Sequence, residues 1–438
     1  MAVAQPVKLE NHWLPFTPNR DFHEEPKLFS RAEGVHYYTP EGRAVLDGCS
    51  GLFTSPIGHG RKEIAEAVYK QLLELDFVSS FQRSHPKAFE AAERVARLTP
   101  DGLDKIFFCN SGSEAVDTAM KIAMAYHRAR GQGSRTMFVS RERAYHGVGF
   151  GGVALSGLVN NRRTFGPGLP NTVHMRHTHG TERFVMGEPE QGADLAEDLA
   201  RVIALHGAEN IAACFVEPIA GSTGMLVPPK GYLKRLRELC TQHGILLVFD
   251  EVITGFGRTG RAFAAQSFGI KPDLMTMAKA ITNGVQPMSA VAADNSVYKT
   301  IVEDSPNPKA ANEFFHGYTW SAHPAACAAA IATIDIYEKE RLFERANQMS
   351  AYFLEGMASL KDIPIVTDIR GYGMAGGLDV APTSVPGERG HILQKKLYDN
   401  GLHIKTTGDT GILAPPFVMT TDQIDQMVDI SRKTLMAM

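Results

Sequence analysis

The chain has 438 residues, enough for two or three domains and a large core. Hydrophobic residues make 44% and charged residues 21%, and a net charge of −3 without any Lys/Arg tract gives no electrostatic case for nucleic acid. No apolar run approaches the ~18 residues of a membrane span, and the opening stretch MAVAQPVKLENHW lacks the apolar core of an export signal.

Residues 1–34 combine Pro, Asn and charge with the aromatics Trp13, Phe16, Phe22 and Phe29. That composition suits a segment wrapping a surface or a partner subunit rather than a core. Residues 35–39, a turn at 40–43 and residues 44–47 read as a hairpin. Residues 50–60 read as a loop with one exposed aromatic, Phe53, for which packing under the loop is an equal alternative. Apolar residues at Ile64, Val68, Leu72 and Leu75 have helical spacing, and a second helix is expected over 86–98.

Residues 105–109 form a short apolar strand, followed by NSGSE and a strong helix that ends at Gly131. Ser111, Gly112 and Ser113 therefore occupy a strand-to-helix turn. Free N–H groups and the helix dipole suit an anion there, although an ordinary serine N-cap explains the same letters. The next strand, 135–139, leads into Tyr145-His146-Gly147, where an aromatic at a strand end can lie against a ring or simply pack. Two stretches, 147–152 and 371–376, match GxGxxG. The first lacks the acid about 20 residues on, and the second runs into a strand-like segment, so neither supports a dinucleotide. His174, His177 and His179 lie close together, but no further ligand follows at usable spacing, so solvated loop histidines are expected rather than a metal.

Residues 211–216 form a buried strand ending in Glu217. After a crossover helix, the run 245–249 is short and apolar and closes on Asp250 and Glu251. Another short strand, 272–277, precedes Lys279. Strand and helix alternate from about 105 to 280, the pattern of a parallel sheet whose ligands gather at the carboxyl ends of its strands. A lysine in so apolar a setting loses solvation and becomes a usable amine nucleophile. Lysine at one strand end and an acid at another are what pyridoxal 5′-phosphate (PLP) requires: the amine condenses with the aldehyde, and the acid pairs with the ring nitrogen. Taken alone, each residue has an ordinary reading, as a cap or a solvated charge. Beyond 280, a polar–aromatic loop at 317–324 precedes an Ala-rich helix and a second long helix. Strands near 363–369, 376–380, 403–405 and 411–414, with helices near 391–400 and from 421, suggest a separate α+β domain. The five cysteines are odd in number, far apart and without CxxC spacing, as reduced thiols of a cytoplasmic protein are.

Together FDEVITGFGRTG, MAKAITNG, NSGSE, AYHG, VEPIAGSTG and GYTWSAHP resemble the class III (ω-)aminotransferases, in order, from about Trp13 to the C-terminus. SGLF and SAHPAACAAA are most similar to the ω-amino acid:pyruvate and amine:pyruvate branch. The resemblance implies an α/β, PLP-dependent fold of type I, with a large, mainly parallel-sheet domain over 61–325 and a small α+β domain over 326–438. Residues 1–60 would contribute to the small domain and a dimer. Lys279 would hold PLP and shuttle the proton, and Asp250 would pair with the ring nitrogen. Ser111, Gly112 and Ser113 would bind phosphate, Tyr145 and Val252 would flank the ring with His146 beside it, and Glu217 would sit near the 3-hydroxyl. Thr319 would reach the partner subunit's phosphate in a homodimer or tetramer. Phe53, Phe81, Tyr145 and Trp320 would line the substrate pocket. The reaction implied moves an amino group from an ω-amino acid such as β-alanine, or a primary amine, to pyruvate with ping-pong kinetics. Where that branch carries an acceptor-binding arginine, this chain has Lys405, a point charge without the bidentate fork. Decarboxylation or aminomutation on the same scaffold, and a non-catalytic protein of that fold, are the alternatives.

Overall fold

The computed structural model describes residues 8–166, 168–180 and 182–438. Near the N-terminus, β1 (Arg31–Glu33), β2 (His36–Tyr38) and β3 (Ala44–Asp47) form an antiparallel meander. The expected hairpin is its second half.

The central sheet has seven strands: β4 (Lys105–Cys109), β5 (Met137–Arg141), β6 (Thr172–Met175), β7 (Ile211–Val216), β8 (Leu246–Asp250), β9 (Leu274–Met277) and β10 (Ser289–Ala293). Their order is β4-β10-β9-β8-β7-β5-β6. All run parallel except β10, which is antiparallel to both neighbours. Every residue of β7, β8, β9 and β10 is buried. Helices cover both faces, so the aliphatic runs need no alternation of polar and apolar residues.

Strand β10 has no counterpart in the sequence reading. Its SAVAA is neither alternating nor rich in β-branched residues, and only its position between two strands makes it a strand.

The Ala-rich helix Pro324–Lys339 is buried around most of its circumference and packs against the helices Lys62–Glu74 and Pro86–Leu98. Its small side chains allow that close approach. The C-terminal part adds β11 (Val366–Tyr372), β12 (Ala375–Val380), β13 (Leu402–His403), β14 (Lys405–Thr407) and β15 (Thr410–Leu413). A sheet β11-β12-β15-β14 results, while β13 joins the N-terminal meander by pairing parallel with β3. The expected strand at 403–405 is thus two short strands in different sheets, divided at the buried Ile404.

Two further expectations are corrected. Phe53 is buried rather than exposed, in a helical turn Ser50–Phe53. Only His174 departs from the expected loop; His177 and His179 lie in the loop after β6, half-buried rather than solvated. His174 lies in β6, 3.0 Å from the Leu155 carbonyl, and His179 lies 3.5 Å from Asp379. Asp379 and Asp368 in turn accept from Arg370, whose guanidinium supplies the positive charge a metal would otherwise bring. All five cysteines are buried and free. No helix among the described residues is long and apolar enough to cross a membrane.

Candidate active site

The carboxyl ends of β5, β7, β8 and β9 and the turn after β4 open onto one cavity of about 570 Å³. Lys279 follows β9 and lines it. Its backbone is left-handed (φ 52°), a strained conformation for a residue with a side chain. Its Nζ lies 5.5 Å from the centroid of the Phe53 ring. Desolvation lowers its pKa to about 8, while the charge of Asp250 acts in the opposite sense. Around pH 8 a sizeable share of this amine is therefore unprotonated.

Asp250 ends β8 and is almost fully buried. Its Oδ1 accepts from the Val252 N–H (3.1 Å) and the Thr276 hydroxyl (3.1 Å), and its Oδ2 lies 2.8 Å from His146 Nδ1. His146 Nε2 is held in turn 3.1 Å from Ser140 Oγ. This chain of contacts fixes the buried carboxylate, a condition for keeping an acid there. Glu217, after β7, accepts from the Tyr145 N–H and the Gly221 N–H, each at 3.0 Å. Burial pushes its pKa up. Burial also raises that of Tyr145, whose ring meets Phe16 edge-on at 6.5 Å.

Ser111 caps the helix Gly112–Ala129, its Oγ accepting from the Glu114 N–H at 3.2 Å. Gly112 and Ser113 are the first residues of that helix, where N–H groups have no carbonyl behind them. A Cβ on Gly112 would lie 3.0 Å from a Val252 methyl, and one on Gly147 (φ 93°) only 2.6 Å from Ser113 Oγ. Two glycines thus keep open a concavity edged by helix N–H groups, the local chemistry of a phosphate cradle.

Of the residues singled out in the sequence, Phe53, Gly112, Ser113, Tyr145, His146, Glu217, Asp250, Val252, Lys279 and Lys405 line this cavity. Ser111 stands behind it as the helix cap. Lys405, in β14, donates to the Ser222 carbonyl at 2.9 Å, and burial lowers its pKa. Phe81, Thr319 and Trp320 do not reach the cavity; all three are exposed, Phe81 to 55% and Trp320 to 61%. The sequence reading gave no site role to Phe16, Leu52, Asn160, Asn161, Ile253 and Gln394, which also line the wall. Leu52 and Ile253 lie inside the quoted SGLF and FDEVITGFGRTG motifs, whereas the segments of the other four carry no chemical motif and only the fold brings them here. The one available signal was the unexplained aromatic run near the N-terminus.

The family model for class-III aminotransferases matches residues 19–435. An omega-aminotransferase of Caulobacter vibrioides is 50% identical, covering 98% of this chain and 97% of that one. An omega-amino acid–pyruvate aminotransferase of Pseudomonas putida is 45% identical and a beta-alanine–pyruvate aminotransferase of Pseudomonas aeruginosa 44%, each covering 98% of this chain and 96% of the other. Among solved structures, the omega transaminase of Pseudomonas jessenii in complex with PMP superposes with a TM-score of 0.91 at 32% identity, over 97% of this chain and 95% of that one. A desolvated lysine, a fixed carboxylate and an anion cradle around one cavity agree with these matches: the chain belongs to the class-III aminotransferases, and its cofactor is PLP.

Proposed function

We propose that this chain moves an amino group from an ω-amino acid such as β-alanine, or from a primary amine, to pyruvate. The observation that carries the reading is the convergence of Lys279, the Asp250–His146 pair and the Gly112–Ser113 cradle on one cavity. The names of the relatives support the choice of donor and acceptor.

Bound PLP supplies an electron sink for the carbon that carries the amino group. Lys279 Nζ would hold the cofactor aldehyde and, as the free amine, would take a proton from that carbon and return it at the neighbouring position. Its lowered pKa keeps part of the amine free for that transfer. Asp250 would hold the proton of the ring nitrogen, and His146 and Thr276 hold Asp250. Ser111 sets the turn, and Gly112 and Ser113 would hold the phosphate. Tyr145 and Val252 would flank the ring, and Glu217 would stand near its 3-hydroxyl. Phe53 and Tyr145 line the substrate side, with Lys405 as the cation nearest a substrate carboxylate. Donor and acceptor use the cavity in turn, so the kinetics are ping-pong.

We assign the exposed Phe81, Thr319 and Trp320 to the cavity of a second copy, in a homodimer or a dimer of dimers. The five free thiols favour a cytoplasmic setting.

The visible spectrum of the purified holoenzyme tests the reading. The cofactor band should bleach with β-alanine and return with pyruvate. A band that ignores β-alanine would remove the donor assignment, and no band even after incubation with PLP would remove the whole reading.

A further inference from the structure

Strand β3 ends on Asp47, a fully buried carboxylate. Its Oδ1 accepts from the Cys49 N–H at 3.0 Å; its Oδ2 accepts from the Gly51 N–H at 2.7 Å and lies 2.8 Å from His59 Nε2. His59 packs in turn on the Tyr37 ring, 4.5 Å away between centroids. Burying a carboxylate is costly, and the bonds that offset the cost here go to the backbone of one turn and to one side chain.

That turn is strained. Ser50 (φ 47°), Gly51 (φ 68°) and Phe53 (φ 61°) are all left-handed. Such backbones persist only where their surroundings over-determine them, and they cluster at functional sites. The turn delivers Phe53, whose ring lines the cavity and has its centroid 5.5 Å from Lys279 Nζ. Lys279 is left-handed as well, so two strained segments meet across this ring. Burial is the largest influence on the Lys279 amine, ahead of the charges of Asp250, Lys405, Glu217 and the Cys49 thiol. Phe53 is part of that apolar cover. The Ser50 hydroxyl ties the turn separately to the Ala414 carbonyl and the Arg258 guanidinium, whereas Asp47 holds its N–H groups.

We propose that Asp47 is a positioning residue of the active site: it locks the strained turn 50–53, and the locked turn holds the Phe53 ring over Lys279 Nζ. Asp47 itself touches neither substrate nor cofactor and acts through the ring. The inference rests on the reading of Lys279 as the lysine that captures PLP.

The test follows covalent capture of PLP by the full-length apo-protein across pH, read by stopped-flow absorbance. Wild type is compared with Asp47→Asn, Gly51→Ala, Phe53→Leu and the double variant Asp47→Asn/Phe53→Leu. Asn is nearly the size of Asp but offers one acceptor oxygen in place of two, so one backbone N–H of the turn would face an amide NH2. With the turn released, water reaches Nζ and stabilises the ammonium. The pH at which capture levels off should rise by about one unit, a tenfold change in the protonation equilibrium of the amine. Gly51→Ala should act in the same direction without touching Asp47, since its new methyl would lie 2.9 Å from Thr54 Oγ1 and 3.0 Å from the Tyr37 hydroxyl oxygen. Phe53→Leu thins the cover and should shift the profile by itself. Asp47→Asn should then add little to it, because the two residues act as one unit. A merely structural Asp47 would lower the melting temperature without moving the profile. An unchanged profile in Asp47→Asn would overturn the proposal while leaving Lys279 in its role; if that variant does not fold, an unchanged profile in Gly51→Ala decides the same way. Full addition of the Asp47→Asn and Phe53→Leu shifts would also overturn it. Capture that persists in Lys279→Ala would instead remove the lysine assignment, and the proposal with it.

Discussion

Lys279 combines a strained left-handed backbone with an amine whose pKa burial lowers to about 8. Only the neutral amine attacks an aldehyde, and the shift is downward, so the ammonium form dominates below about pH 8 and the free amine above it. Covalent capture of PLP by the apo-protein should accelerate as pH rises toward about 8 and then level off, whereas a solvated lysine would keep gaining to about pH 10. Stopped-flow absorbance of apo-protein mixed with PLP reads this directly. A profile still climbing at about pH 10 would show that the amine is not desolvated. Lys279→Ala should abolish the capture altogether. At this scale the sequence was informative where chemistry is carried by one residue type after one strand, as with Asp250 and Lys279. It was silent on Asn161, because nothing in VNNRRTF distinguishes a cavity-lining residue from a surface one.

The strand-to-helix elements hold the cradle, and their close approach is set by glycine. Gly147, in the loop after β5, has φ 93° and faces Ser113, whose Oγ accepts from the Val148 N–H at 3.0 Å. Gly147→Ala would strain the backbone by about 1–3 kcal/mol. Its new methyl would also lie 2.6 Å from Ser113 Oγ, so the cradle must shift. PLP affinity, followed by titrating apo-protein and reading the cofactor band, should fall about tenfold, the scale of one charge-assisted hydrogen bond. Affinity equal to wild type would place the phosphate elsewhere. Most elements were legible because their hydrophobic periods are strong, as in the helices Lys62–Glu74 and Pro86–Leu98. The failures share a cause. Strand β10 is made of small residues without a β signature, and residues 402–407 are shared between two sheets. Burial of Phe53 depends on contacts far along the chain; the neighbouring Ser50 hydroxyl, for instance, donates to the Ala414 carbonyl. Local sequence cannot register pairing partners that are hundreds of residues away.

At the scale of the whole molecule, one face is left uncovered. Phe315 is 93% exposed and, with Phe81, Phe107, Tyr298 and Phe314, borders a groove of about 840 Å³. The nearby Thr319 and Trp320 are exposed as well. Large contiguous apolar patches on a soluble chain mark interfaces, and a two-fold interface presents the same patch from both copies. If the second copy covers this face, Phe315→Asp places a charge where an aromatic should be buried. Sedimentation should then show monomers, with the circular dichroism spectrum unchanged because the side chain makes little use of its own subunit. Turnover should fall well over tenfold, because each cavity would lose the Thr319 and Trp320 supplied from the other side; an interface aromatic of this kind ranks among the costliest to lose. A monomer that keeps wild-type turnover would show that one copy suffices and would remove Thr319, Trp320 and Phe81 from the site. A variant that stays dimeric with full activity would move the interface to another face.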